Sequence, residues 1–129
     1  TNTIGAVNVK PATAGGLLIA NMTSGDGSSV LTNSAQAIKA SAGQLFGWYL
    51  SNPNAAATYV LVYNVAAASV TVGTTNPAMV LLIPATSAAN VEFTNGIEFT
   101  NAGFSAAATT TAGGNTAPVA GVEANWFYK

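Results

Sequence analysis

Nowhere in this chain does an apolar stripe of helical period run for long. Short runs rich in Val, Ile, Leu and aromatic residues recur instead between Gly, Pro and Asn. Thr, Asn, Val and Gly interrupt every Ala-rich stretch, and the Ala clusters at 55–57, 66–68 and 106–108 are too short to stand as helices. Short alternating segments separated by turn residues are the pattern of an all-β fold. The 129 residues leave room for one domain. We therefore expect a single β-sandwich, of jelly-roll or immunoglobulin-like type.

Candidate strands fall at 35–40, 44–51, 58–65, 69–72, 78–83, 90–93, 97–100, 104–109 and 119–128. In 44–51, strict alternation sets Phe46, Trp48 and Leu50 on one face, with Leu45 and Tyr49 on the other. In 58–65, Tyr59, Leu61 and Tyr63 oppose Val60 and Val62. Both segments are apolar on both faces, whereas a two-layer sandwich buries one face of each strand. Their second face should be covered by an arm or another subunit. The stretch Val91-Glu-Phe-Thr-Asn-Gly-Ile-Glu-Phe99 carries an Asn-Gly hairpin signal. A three-residue loop, Thr94-Asn95-Gly96, with Gly96 in the left-handed region, would pair Phe93 with Ile97 and Val91 with Phe99. It would also set Glu92 against Glu98 on the outer face.

Residues 1–29 differ from the rest. Two apolar segments, 4–9 and 17–19, are split by Pro11-Ala-Thr-Ala-Gly-Gly16 and closed by Ser24-Gly-Asp-Gly-Ser-Ser29. This reads as an extended N-terminal arm on a body of residues 30–129. Ile4, Val7, Val9, Leu17, Leu18 and Ile19 are its candidate interface residues.

Charge narrows the function. Three Lys and four acids are all the ionic side chains, 5% of the chain against roughly 25% in an ordinary domain, and there is no Arg, His or Cys. A net charge of -1 cannot neutralise a phosphate backbone, so no nucleic-acid partner is expected. Thiol and imidazole chemistry, disulfides and soft metal sites are excluded by composition. We expect no enzyme activity and no cofactor. The run of residues 79–83 stops at Pro84, far short of the about 20 residues a spanning helix needs, so no membrane partner is expected. The N-terminus lacks the basic-then-apolar order of a signal peptide, and the start at Thr1 suggests that a leader or initiator Met has been removed. Low charge without a span points to surfaces buried against protein.

Few residues look like a site. Glu92 and Glu98, if they face each other, read first as two solvated acids, then as ligands of a hard cation such as Ca²⁺, and last as a glycosidase pair. Asp26 between glycines reads as a turn before it reads as a cation ligand. Asn21-Met-Thr23 matches a glycosylation acceptor, a pattern frequent by chance. Gly113-Gly-Asn115 lacks the Lys-Ser/Thr of a phosphate loop. Trp48-Tyr49 and Trp126-Phe-Tyr128 could stack on carbohydrate, but their alternation favours a core or a subunit interface.

The series Gly47-Trp-Tyr-Leu-Ser-Asn-Pro53, Tyr59-Val-Leu-Val-Tyr-Asn64, Val72-Gly-Thr-Thr-Asn-Pro77 and Leu82-Ile-Pro-Ala85 resembles a group of small phage and prophage virion proteins. The resemblance continues through Phe93-Thr-Asn-Gly-Ile-Glu-Phe99, Ala106-Ala-Ala-Thr-Thr110 and Asn125-Trp-Phe-Tyr-Lys129, covering about residues 44–129. In such sequences acidic residues often follow the Thr-Thr segment. Here Thr111-Ala-Gly-Gly-Asn115 follows, which weakens any cation site at that place. The resemblance implies a β-sandwich accessory protein of a viral particle with no catalytic residues. The expectation is a capsid decoration (cement) protein on the capsid exterior, bound to the major capsid protein or another virion protein. It would be a homo-trimer, because cement proteins commonly clamp three-fold junctions. The strand at 78–83, through Met79, Leu81 and Ile83, is the expected interface strand, joined by Trp126 and Tyr128. The alternatives are a tail- or fibre-associated carbohydrate-binding module and, last, a carboxylate-based glycosidase.

Overall fold

The computed structural model describes residues 16–24 and 30–129. Their alternating runs form eight strands: β1 (Leu18–Met22), β2 (Gln36–Lys39), β3 (Gly43–Asn52), β4 (Thr58–Tyr63), β5 (Met79–Ile83), β6 (Ser87–Phe99), β7 (Phe104–Thr109) and β8 (Glu123–Tyr128). Two four-stranded antiparallel sheets result, ordered β1-β8-β3-β6 and β2-β7-β4-β5. This is the strand order of an eight-stranded jelly roll. The expected sandwich is present, and its topology selects the jelly roll over the immunoglobulin arrangement.

Between the sheets lie Leu45, Trp48 and Leu50 of β3, Val60 and Val62 of β4, Phe104, Ala106 and Ala108 of β7, and Trp126 of β8. Phe99 and Phe104 stack with ring centroids 4.5 Å apart, and Trp48 tilts against Trp126 at 6.1 Å. The Ala run at 106–108 is thus a buried strand segment, with the small side chains of Ala106 and Ala108 set in a core of large aromatics.

Three local expectations are corrected. First, the register of β3 slips between Leu45 and Gly47 against both of its neighbours. The slip is a β-bulge at Phe46, which turns Leu45 and Trp48 to the same, inner face. Strict alternation would have opposed them. Second, residues 91–99 do not form a hairpin, because β6 runs through without a turn and pairs with β3 along its length. Leu45 pairs with Ile97 and Gly47 with Glu92, so the four residues 93–96 lie opposite Phe46 alone. That larger bulge returns Val91 and Ile97 to the core side. Gly96 is outside the positive-φ region, and its role is close approach: a Cβ there would sit 2.9 Å from the Gln44 Cβ and the Phe46 ring. Third, 69–72 is not a strand. It follows a 3₁₀ turn at Ala67–Ser69, and the chain then turns tightly at Gly73, whose φ of 92° suits glycine.

That connection supplies the missing cover. Leu61, Tyr63 and Ala107, on the outer face of the second sheet, pack beneath Val65, Val70 and Val72. The second face of β4 is therefore buried by its own chain rather than by an arm or another subunit.

Part of the segment assigned to an arm lies in the body. β1 pairs with β8 from Leu18↔Tyr128 to Met22↔Ala124, and Met22 is in the core. Ile4, Val7 and Val9 fall outside the described residues.

Asn52, at the end of β3, is 1% exposed. Its amide donates to the carbonyls of Ala56, Ile83 and Pro84, at 3.0, 3.1 and 3.1 Å. Its carbonyl accepts from the Asn54 backbone and side chain and from the Thr58 hydroxyl. Asn54 in turn makes a reciprocal pair with the backbone of Ala120 at 2.8 Å each way. Two asparagines flanking Pro53 thus tie β3, β4, β5 and the approach to β8 together.

Candidate interaction surfaces

Core packing assigns the expected interface residues to different roles. Trp126 is fully buried, and Tyr128 packs against the core. On β5, pairing with β4 turns Met79, Leu81 and Ile83 inward and leaves Val80 and Leu82 exposed by 44% and 54%. The β5 face expected to meet a partner thus packs against the core, and Val80 and Leu82 form the face left outside. Both faces are apolar, and only the register decides between them. Leu17, Leu18 and Ile19 are exposed by 48%, 55% and 61%, on or beside β1, which among the described residues is an edge strand of its sheet. They are candidates that remain open to a partner.

The carboxylates do not form the expected pair. Glu92 lies opposite Gly47 and Glu98 opposite Gln44, at separate places along β6. Asp26 is outside the described residues. Among the described residues no cluster of three or more acids, His or Cys is placed to hold a metal ion.

Strict alternation concealed the outer face of the β1-β8-β3-β6 sheet. Tyr49 is 43% exposed at its centre. It pairs with Asn90 of β6 and Asn125 of β8, and Asn125 pairs with Asn21 of β1. One row, Asn21–Asn125–Tyr49–Asn90, therefore crosses all four strands. The next row outward is Ile19–Phe127–Gly47–Glu92. Phe127 meets Tyr49 edge to face at 5.1 Å, and the Tyr49 hydroxyl donates to the Glu92 carboxylate. That hydrogen bond first, then the carboxylate's charge and some desolvation, hold the Tyr49 phenol above its ordinary value. Gly47 leaves a gap between Phe127 and Glu92, and a hollow of about 300 Å³ opens there, walled by Leu17, Phe46, Tyr49, Glu92, Phe93 and Phe127. On the other side of Tyr49 a second hollow, of about 340 Å³, is lined by Thr23, Ser51, Asn90, Glu123 and Asn125. Asn21 of the glycosylation-like triplet sits on this face and accepts a hydrogen bond from the Thr23 hydroxyl at 2.8 Å.

A third hollow, of about 450 Å³, lies at the loop end between residues 53–58 and 118–120. Its walls are Pro, Ala, Val, Thr and a single Asn, which offer volume but little chemistry. Trp48 and Trp126, whose alternation favours a core position over sugar stacking, are both in the core.

No protein family matches this chain, and no curated protein or solved structure is detectably similar to it.

Proposed function

We propose that the chain is a non-catalytic structural protein of a phage particle, a capsid decoration or cement protein that stabilises the shell from outside. The observation that carries this reading is the edge of β1, where Leu17, Leu18 and Ile19 stand exposed in succession. An open apolar strand edge is costly in a protein that stays alone, because it templates pairing with other chains. In an assembling protein the same edge is an attachment device, with main-chain hydrogen bonds for affinity and side chains for specificity. The resemblance of residues 44–129 to phage virion proteins and the scarcity of charge support the same reading. The partner is the major capsid protein or another virion protein, and a homo-trimer is the assembly that suits a three-fold junction.

Co-sedimentation with particles lacking the protein tests this. The full chain should bind, and Leu18→Lys with Ile19→Lys should abolish binding while circular dichroism shows an intact fold. Attachment by apolar burial should also survive 1 M NaCl, where the Debye length falls to about 3 Å. Binding undiminished in the double variant, or lost at high salt, would overturn the proposal.

A further inference from the structure

The outward face around Tyr49 has the composition of a ligand surface rather than of a plain solvated sheet. Its central row places three amide side chains and a phenol in line across four strands, over roughly 14 Å at about 4.8 Å per strand. Each amide offers both donors and acceptors, the phenol, whose proton goes to Glu92, adds an acceptor, and Glu92 and Glu123 add further acceptors. Beside them the rings of Tyr49, Phe127 and Phe46 line the hollow over Gly47.

The chemistry of these walls selects among ligands. Among the described residues neither hollow flanking Tyr49 has Lys or Arg in its lining, and each has one glutamate, so phosphate and other anions are disfavoured. A peptide adding as a strand needs free backbone groups. On this face the main-chain groups are committed to the four-strand ladder. What remains is a neutral molecule that presents hydroxyls and apolar C–H faces together over a short length. Aromatic rings beside a few convergent polar groups suit such a ligand.

We propose that the outer face of the β1-β8-β3-β6 sheet binds a neutral oligosaccharide laid along the Asn21–Asn125–Tyr49–Asn90 row, with one sugar ring against Tyr49 and Phe127. The Tyr49–Glu92 hydrogen bond positions the phenol and leaves the second carboxylate oxygen to accept from a sugar hydroxyl. This surface meets the β1 edge at Leu17 and Asn21, but its binding is read at Tyr49 and Asn90 on β3 and β6, so its test stands apart from the attachment role of β1.

The test uses the full chain, labelled with ¹⁵N and titrated with maltotriose and with triacetylchitotriose, together with an array of neutral and acidic glycans. At least one neutral glycan should bind and shift the amide resonances of Tyr49, Asn90, Asn125 and Phe127. Tyr49→Ala should weaken that binding at least tenfold, and Asn90→Ala, at an exposed position that cannot unfold the core, severalfold. Three results would overturn the proposal: no neutral glycan binds, acidic glycans bind better than neutral ones, or Asn90→Ala and a folded Tyr49→Ala both bind as the wild type does.

Discussion

Asn52 shows how much one buried amide can hold. All its hydrogen-bonding capacity is used, and its partners belong to separate strands and loops. Removing it strands the carbonyls of Ile83 and Pro84 and the Thr58 hydroxyl in a dry site. Asn52→Ala should therefore cost about 2–4 kcal/mol, as a shift of the urea midpoint at unchanged slope would show. Asn52-Pro-Asn54 is legible in the sequence as a turn, but turn composition does not reveal which amide points inward. Tyr63 is the opposite case: its hydroxyl is buried without a partner among the described residues. Tyr63→Phe should leave stability at pH 7 within about 1 kcal/mol of wild type, or raise it. Burial pushes the Tyr63 phenol up, while the unfolded chain titrates near about 10. Its contribution is then constant below pH about 10 and lost above, where the unfolded state releases the proton first. Denaturation series at rising pH should show that loss, and Tyr63→Phe should make it shallower.

At the scale of the element, the two facing bulges of β3 and β6 decide which residues reach the core. Existence and approximate limits of β2, β3, β4, β5 and β7 could be read from short strand-like runs set between turn residues, whereas β8 begins at Glu123, inside the expected 119–128. The continuity of β6 could not, since Asn95-Gly96 has the same local signature in a hairpin and in a bulge. Only the long-range pairing with β3 tells them apart. The position of Gly96 against Phe46 makes this testable. Gly96→Ala should destabilise by about 1–3 kcal/mol through overpacking. In a Phe46→Ala background most of that cost should disappear, because the ring that meets the new methyl is gone. Equal costs in both backgrounds would place the strain in the backbone and restore the hairpin reading. The candidate surface suffered from the same cause: a bulge unreadable from sequence hides which of Trp48 and Tyr49 faces out.

For the whole molecule, fold class followed from composition and period, whereas strand order did not, because five of the six pairings among the described strands join segments that are not consecutive. Such non-local pairing makes folding slow, in the range of about milliseconds to seconds for all-β domains. Stopped-flow refolding should give a main phase in that range, and a chain ending at residue 122 should not reach the native state. The pairing of β1 with β8 carries this further. The first described strand of the chain closes against the last, Leu18 beside Tyr128. On a translating ribosome β8, the partner that lies between β1 and β3, emerges after every other described strand. Until it does, β3 has its Trp48 face incomplete and β1 has no sheet to join. The exposed apolar side chains of β1 therefore wait through the synthesis of all the other described strands before their own sheet exists.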